Sequence, residues 1–346
     1  MQGPGAIHEV GALSALRHQR AAVLIDSTIA DLLEQPLTAS LGQAGVATSV
    51  ARVSGEVTEN TMATLAESVR AHAPDVVIAA GGGKTLDIGK GVSMLLRVPV
   101  ITVPTIASND GPTSRLIAQY DEQHRLIDTP TLTHNPEAVV VDSSLVSAAP
   151  ARFLRSGIGD ALAKKFEVLG TVRAQGQTSH GSLSFRLPVT IASECFETIL
   201  RDGVAAVASL GRERVSEELE NVIEAVVLMS GLAFENGGLS VAHALTRGLM
   251  ITPGADRHLH GYHVAYGLLV QLQLEGEHIE IARLRALYRE LDLPCSLADL
   301  GANSDPDVFA RIARATLVAP HSRHIVPAPT EPALIKAMCR LESEHR

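Results

Sequence analysis

Tryptophan is absent from this 346-residue chain, and aromatic residues make up only 3% of it. The stacking platforms that hold single-stranded nucleic acid therefore have little to be built from. No basic tract occurs, and a net charge of −9 argues against nucleic acid as the main partner. No apolar run reaches the ~18 residues a membrane span needs. The opening Met1-Gln2-Gly3-Pro4 lacks the basic-then-apolar build of a signal peptide. Cysteine is scarce too. Cys195, Cys295 and Cys339 are odd in number and far apart, which fits neither a zinc ribbon nor a disulfide framework. Reduced core thiols in a cytoplasmic protein are expected. What remains is an ordinary globular composition, 46% hydrophobic and 19% charged, long enough for two domains and a large core.

Along the first 150 residues, apolar strand-like runs alternate with helical patterns. Ala21-Ala22-Val23-Leu24-Ile25-Asp26 reads as a strand ending in an acid, followed by a helix over 29–43. A strand over 48–53, a helix over 59–73 and a strand over 76–80 follow. The runs 98–104 and 138–142 read as further strands. Such alternation implies right-handed crossovers and a mostly parallel sheet, a Rossmann-like α/β domain over 1–150. Ligands of such sheets bind outside the carboxyl ends of the strands. Asp26, the glycines 81–83 and Thr105 all fall at such ends. Asp26 reads either as a solvated turn residue or as the acceptor of both ribose hydroxyls of an adenosine. The second reading favours NAD over NADP, whose 2′-phosphate an acid repels.

The turn Gly81-Gly82-Gly83-Lys84-Thr85-Leu86-Asp87 joins an apolar strand to a helical pattern over 88–96. Three residues without Cβ let backbone N–H groups approach a diphosphate, and the helix N-terminus adds its positive end. It is not a P-loop, because the position five before the Gly-Lys pair is Ile78. Nor is it a G-x-G-x-x-G fingerprint, because Leu86 stands where the last glycine belongs.

After Pro150 the strand-like runs mostly give way to small-plus-aliphatic helical patterns, so 151–346 is expected to be an all-helical domain. Asp160 lies in Gly157-Ile158-Gly159-Asp160-Ala161-Leu162-Ala163, His243 in a small-residue helix, and His260 ahead of another apolar helix. One carboxylate and two imidazoles suit Zn²⁺ with a fourth position left open. By default Asp160 reads as a helix N-cap, any one of fourteen histidines is weak evidence, and spacing does not tie the three together.

Five collinear segments carry a wider likeness. They are Gly81-Gly82-Gly83-Lys84-Thr85-Leu86-Asp87, Pro104-Thr105-Ile106-Ala107-Ser108-Asn109-Asp110, Gly157-Ile158-Gly159-Asp160-Ala161-Leu162-Ala163, Glu235-Asn236-Gly237-Gly238-Leu239-Ser240-Val241-Ala242-His243, and His260-Gly261 with Val264-Ala265-Tyr266-Gly267. In these the chain resembles the glycerol dehydrogenase group of the iron-containing alcohol dehydrogenase and dehydroquinate synthase-like superfamily. The resemblance implies a Rossmann-like N-terminal domain, a helical C-terminal domain and an active site between them. It further implies hydride transfer between a polyol or small secondary alcohol and NAD. Asp160, His243 and His260 would hold one Zn²⁺ per subunit. Asp26, Gly82, Gly83, Lys84, Asp87, Thr105, Ser108, Ser114, Leu116 and Tyr120 would form the NAD site, and Asp110 would face the substrate hydroxyls. Relatives often form homo-oligomers. A dehydroquinate synthase-like lyase is the less favoured reading, since its first ligand is normally Glu.

Departures from the family pattern sharpen the expectations. Lys164 stands where iron-dependent members place a third histidine, which favours zinc. Thr246 replaces a second histidine common after His243, and Asn109-Asp110-Gly111 replaces Thr-Asp-Ala. The strand that customarily precedes Gly3 is missing. Lys164 and Arg247 each lie one turn past a ligand, on its helix face. With Asp110 they are the candidate catalytic residues, and the two cations suggest a substrate with an anionic group, unless both are paired with acids such as Glu167. Phe234 and Tyr266 are expected to wall the cleft.

Overall fold

The computed structural model describes residues 1–121 and 125–345. The chain folds as two compact units. The first comprises Met1–Ala107, Gly111–Ala149 and Leu210–Ser216; the second comprises Ser108–Asp110, Pro150–Ser209 and Glu217–Arg346.

The first unit contains β1 (Gln2–Gly3), α1 (Val10–Ala15), β2 (Arg20–Asp26), α2 (Ala30–Gln43), β3 (Ala47–Val53), α3 (Glu59–Arg70), β4 (Val76–Gly81), α4 (Gly83–Leu96) and β5 (Val100–Pro104). It continues through β6 (Gln119–Tyr120), β7 (Leu126–Asp128), β8 (Ala138–Val139), β9 (Val141–Asp142) and α5 (Ser143–Ala148). Five strands form one parallel sheet in the order β3-β2-β4-β5-β8. Alternate residues of β2 enter two different cores, Ala21, Val23 and Ile25 on one face and Ala22 and Leu24 on the other. That is why these strands read as continuous apolar runs: both faces are covered by helices. The strand order reverses between β2 and β4, and the two strands end there in Asp26 and Gly81. This is the switch point at which doubly wound sheets bind ligands.

Two expectations need correcting. The run 138–142 is two strands rather than one. Ala138–Val139 pairs with β5, whereas Val141–Asp142 pairs with β1. The Asp142 carboxylate explains the break, since it accepts the N–H groups of Gly5, Ile7 and Ser144 (3.0–3.2 Å) and so pins the N-terminal segment and caps α5. Gln2–Gly3 also forms a short strand of its own.

The second unit is helical: α6 (Ala151–Arg173), α7 (Arg186–Ser209), α8 (Glu217–Glu224), a π-helical turn (Ala225–Met229), α9 (Ser230–Gly237), α10 (Val241–Leu249), α11 (His260–Glu275), α12 (His278–Leu291), α13 (Pro306–Val318) and α14 (Glu331–His345). Among the described residues no single helix is long and apolar enough to cross a membrane. α11 packs against both α6 and α10, and glycine permits the close approach. A Cβ on Gly261 would lie 1.7 Å from the Ser156 carbonyl oxygen, and one on Gly267 would lie 2.4 Å from that of Ala242. The three backbones that meet here carry Asp160, His243 and His260. Of the cysteines, Cys195 and Cys295 are buried as expected, but Cys339 is exposed; none is paired.

Candidate functional site

In the first unit the candidate cofactor residues gather around the switch point. Gly81 has φ +156°, and a Cβ there would lie 2.8 Å from the Cβ atoms of both Asp26 and Thr85, so the turn closes only on glycine. Gly82 is extended and precedes α4, so the N–H groups of the first turn, from Gly83 onward, have no helical acceptor of their own. Asp26 accepts from Thr28 N–H (2.9 Å) and the Thr85 hydroxyl (3.3 Å). Lys84, more than half exposed, is ion-paired with Glu56 at 2.7 Å. Thr105 donates its N–H to the Gly81 carbonyl.

The segment carrying Ser114, Leu116 and Tyr120 is strapped to α4 by a buried cation. Lys90 Nζ donates to Asp87 Oδ1 (2.9 Å) and to the carbonyls of Gly111 (2.7 Å) and Leu116 (2.9 Å), while Asp87 Oδ2 accepts Ala118 N–H. Burial, with Asp87 and Glu56 nearby, pushes the Tyr120 phenol up to about 12. Ser108 belongs to the second unit, where its carbonyl accepts the Ser156 hydroxyl at 3.0 Å.

In the second unit Asp160, His243 and His260 converge. One donor atom from each can be chosen so that all lie within 4.8 Å of one another. His243 Nε2 is 3.0 Å and His260 Nε2 4.0 Å from Asp160 Oδ1. Asp160 and His243 are buried, while the His260 side chain is 41% exposed, so the open side of the cage lies at His260.

Glu167 holds the arrangement rigid. Its Oε1 accepts the N–H groups of Ser240 (2.9 Å) and His243 (3.0 Å), capping α10 from α6. Its Oε2 accepts from His243 Nδ1 at 2.6 Å, which turns Nε2 toward Asp160. A carboxylate behind a ligating imidazole is the usual orienting partner in metal sites. Burial alone would lower the His243 pKa, but Glu167 and Asp160 outweigh it and hold the group up at about 9. Burial likewise opposes ionisation of Asp160, yet Lys164 and His243 keep it well below the ordinary carboxylate range. Desolvation, with His243 and Lys164 nearby, pushes His260 below its ordinary value, which favours the neutral imidazole.

Comparison with known proteins gives the family. The family model for iron-containing alcohol dehydrogenases matches residues 1–150. A glycerol dehydrogenase of Escherichia coli is 34% identical over 339 residues, 97% of this chain and 92% of that protein. A glycolaldehyde reductase of Halobacterium salinarum is 34% identical over 340 residues, 97% of this chain and 93% of that protein. The chain belongs to the iron-containing alcohol dehydrogenase family. The crystal structure of glycerol dehydrogenase from Schizosaccharomyces pombe superposes with a TM-score of 0.89 at 30% identity, covering 99% of this chain and 88% of that one. The protein is an alcohol dehydrogenase of the glycerol dehydrogenase-like group.

In this alcohol dehydrogenase the two candidate cations part ways, and Lys164 follows the alternative in which the charge is paired with acids. Lys164 is fully buried and committed to acids, at 2.6 Å from Asp160 Oδ1 and 3.2 Å from Asp110 Oδ2, with His243 Nε2 at 3.0 Å. Its charge is therefore not available to a substrate anion. Burial would lower its pKa, but Asp110 and Asp160 raise it. Arg247 is exposed, and its side chain makes no hydrogen bond or ion pair among the described residues. Asp110 is anchored by Ser230, whose hydroxyl donates to Oδ2 at 2.8 Å from just beyond the π-helical turn; burial raises its pKa. Phe234 lies beside the cage, its ring 5.7 Å from Lys164 Nζ. Tyr266 does not: it is a core residue whose hydroxyl donates to Glu342.

Sequence reasoning missed the role of Glu167 and of Ser230. A signal for the first was present, since Asp160, Lys164 and Glu167 at i, i+4 and i+7 form one charged stripe on a buried helix.

Proposed function

We propose that this alcohol dehydrogenase oxidises glycerol or a glycerol-like polyol with NAD and a divalent ion, zinc by donor preference. In this reading residues 1–150 bind NAD and residues 151–346 supply the metal-binding and catalytic groups, joined by Asp110, which packs with the second unit. One observation carries it: an acid and two imidazoles on α6, α10 and α11 converge, with the inner imidazole oriented by Glu167. The donor set fits the ion, since one carboxylate oxygen and two imidazole nitrogens suit Zn²⁺, and the exposed flank at His260 leaves room for a further ligand. When bound, the ion supplies Lewis acidity to an alcohol oxygen and NAD supplies the hydride acceptor.

The residues then divide the remaining work. Glu167 keeps the His243 Nδ1 proton, so that Nε2 is the nitrogen that would give up its proton and ligate. Asp110, held by Ser230 and Lys164, orients a neighbouring hydroxyl of the polyol. In the first unit, Gly81 and Gly82 let the first-turn N–H groups of α4 approach a diphosphate, Lys90 fixes the segment from 111 to 118, and Asp26 accepts ribose hydroxyls. NADH absorbance with zinc-loaded protein and a panel of vicinal diols tests the proposal. Turnover of glycerol that is lost with chelator and restored by Zn²⁺ is expected; no NADH from any diol would refute it.

A second reading is favoured by Arg247, an exposed guanidinium without a partner among the described residues, one turn past His243: the substrate carries a carboxylate or phosphate. Replacing Arg247 with Ala would then lower kcat/KM for glycerol phosphate or a hydroxy acid about tenfold or more and leave glycerol unaffected. Unchanged discrimination removes this reading.

A further inference from the structure

Lys164 sits where a second cation is hard to accommodate. Its Nζ is within hydrogen-bond distance of Asp160 Oδ1 and His243 Nε2, on two of the three residues assigned above to the divalent ion. The side chain is fully buried, so the ammonium is not in contact with bulk water. Two cations on the same pair of atoms repel strongly at this range.

The surroundings offer a way out. Asp110 Oδ2 is 3.2 Å from Nζ and is fixed by the Ser230 hydroxyl. Charge counting supports holding both cations at once. Once His243 is neutral, as a ligating imidazole must be, Asp110, Asp160 and Glu167 set three carboxylates against one lysine, and the remainder of two negative charges is what a divalent ion neutralises.

Resting on the metal reading above, we propose that Lys164 is a resident counter-cation. It contends with the divalent ion for Asp160 and His243, and withdraws onto Asp110 when the ion arrives. The ammonium keeps its proton throughout; only its partners change. Lys164 therefore lowers the affinity of the cage for metal, and Asp110 offsets that loss by receiving the displaced charge.

The test is Zn²⁺ affinity of the metal-free protein by chelator competition, in wild type, Lys164→Met, Asp110→Asn and the double variant. Lys164→Met is expected to bind Zn²⁺ about tenfold tighter or more. Asp110→Asn is expected to weaken binding in wild type and much less in the Lys164→Met background, a non-additivity that a merely structural role would not produce. Equal or weaker binding by folded Lys164→Met, or the same Asp110→Asn effect in both backgrounds, would overturn the proposal. If neither wild type nor Lys164→Met binds Zn²⁺, the cage itself is wrong and the inference falls with it. Should Lys164→Met fail to fold, wild-type crystals with and without Zn²⁺ decide. With zinc, Nζ is expected to stay bonded to Asp110 and to leave hydrogen-bond range of His243 Nε2, beyond about 3.5 Å. An ammonium that does not move overturns the idea.

Discussion

The glycine turn of the α/β unit and the acid–imidazole cage of the helical unit both suit charged guests, but they are made of different material. The turn is backbone: Gly81 and Gly82, consecutive in sequence, clear a path to the N–H groups at the start of α4. The cage is side chain: Asp160, His243 and His260, spread over about a hundred residues, are brought together by helices that pack closely because Gly261 and Gly267 carry no Cβ. A backbone site depends on local conformation and tolerates many side chains nearby. A side-chain site depends on the packing of remote elements and on the partners that orient each ligand.

The comparison breaks most visibly at Gly81. An alanine there must adopt a left-handed conformation and meet Asp26 and Thr85 at 2.8 Å. The expected cost is about 2–3 kcal/mol of stability, with NAD binding weakened at least about tenfold. Zn²⁺ stoichiometry should stay unchanged. Chemical unfolding together with NADH fluorescence titration checks this, and loss of zinc in the same variant would mean the two sites are not independently built.

The converse change is Glu167→Gln. It removes the charge behind His243 while keeping the shape, and should weaken Zn²⁺ binding by about 10–100-fold with NADH affinity unaltered. Equal zinc affinity would mean that Glu167 is only a helix cap.

These contrasts also explain what the sequence disclosed. Strands β2 and β4 and the glycine turn were legible because each is local: an apolar run buried on both faces, then residues lacking Cβ. The cage was not legible from spacing, since nothing in the order of Asp160, His243 and His260 encodes how α6, α10 and α11 cross. Likeness to a family supplied it instead. The split at Val140 was hidden because Asp142 takes its partners from residues 5–7, at the other end of the unit. The π-helical turn before Ser230 was hidden because one additional residue in a turn leaves an apolar helical pattern almost unchanged.

A smaller effect concerns pH. His321 is pushed down to about 4, first by burial and also by His243, His324 and Arg247. Its folded pKa lies below the ordinary 6.5, so folding favours the neutral ring. The stability it contributes is complete above pH 6.5 and is lost as pH falls toward 4. Thermal unfolding across this window should show a shallower acid limb for His321→Gln than for wild type. Parallel limbs would mean that the ring is solvated.

The central claim is that three remote side chains share one ion, and anomalous scattering from a Zn²⁺-soaked crystal tests it most directly. The account predicts a single strong peak about 2.0–2.2 Å from an Asp160 oxygen and from one nitrogen each of His243 and His260. A zinc peak on other residues, with these three side chains unliganded, would contradict it.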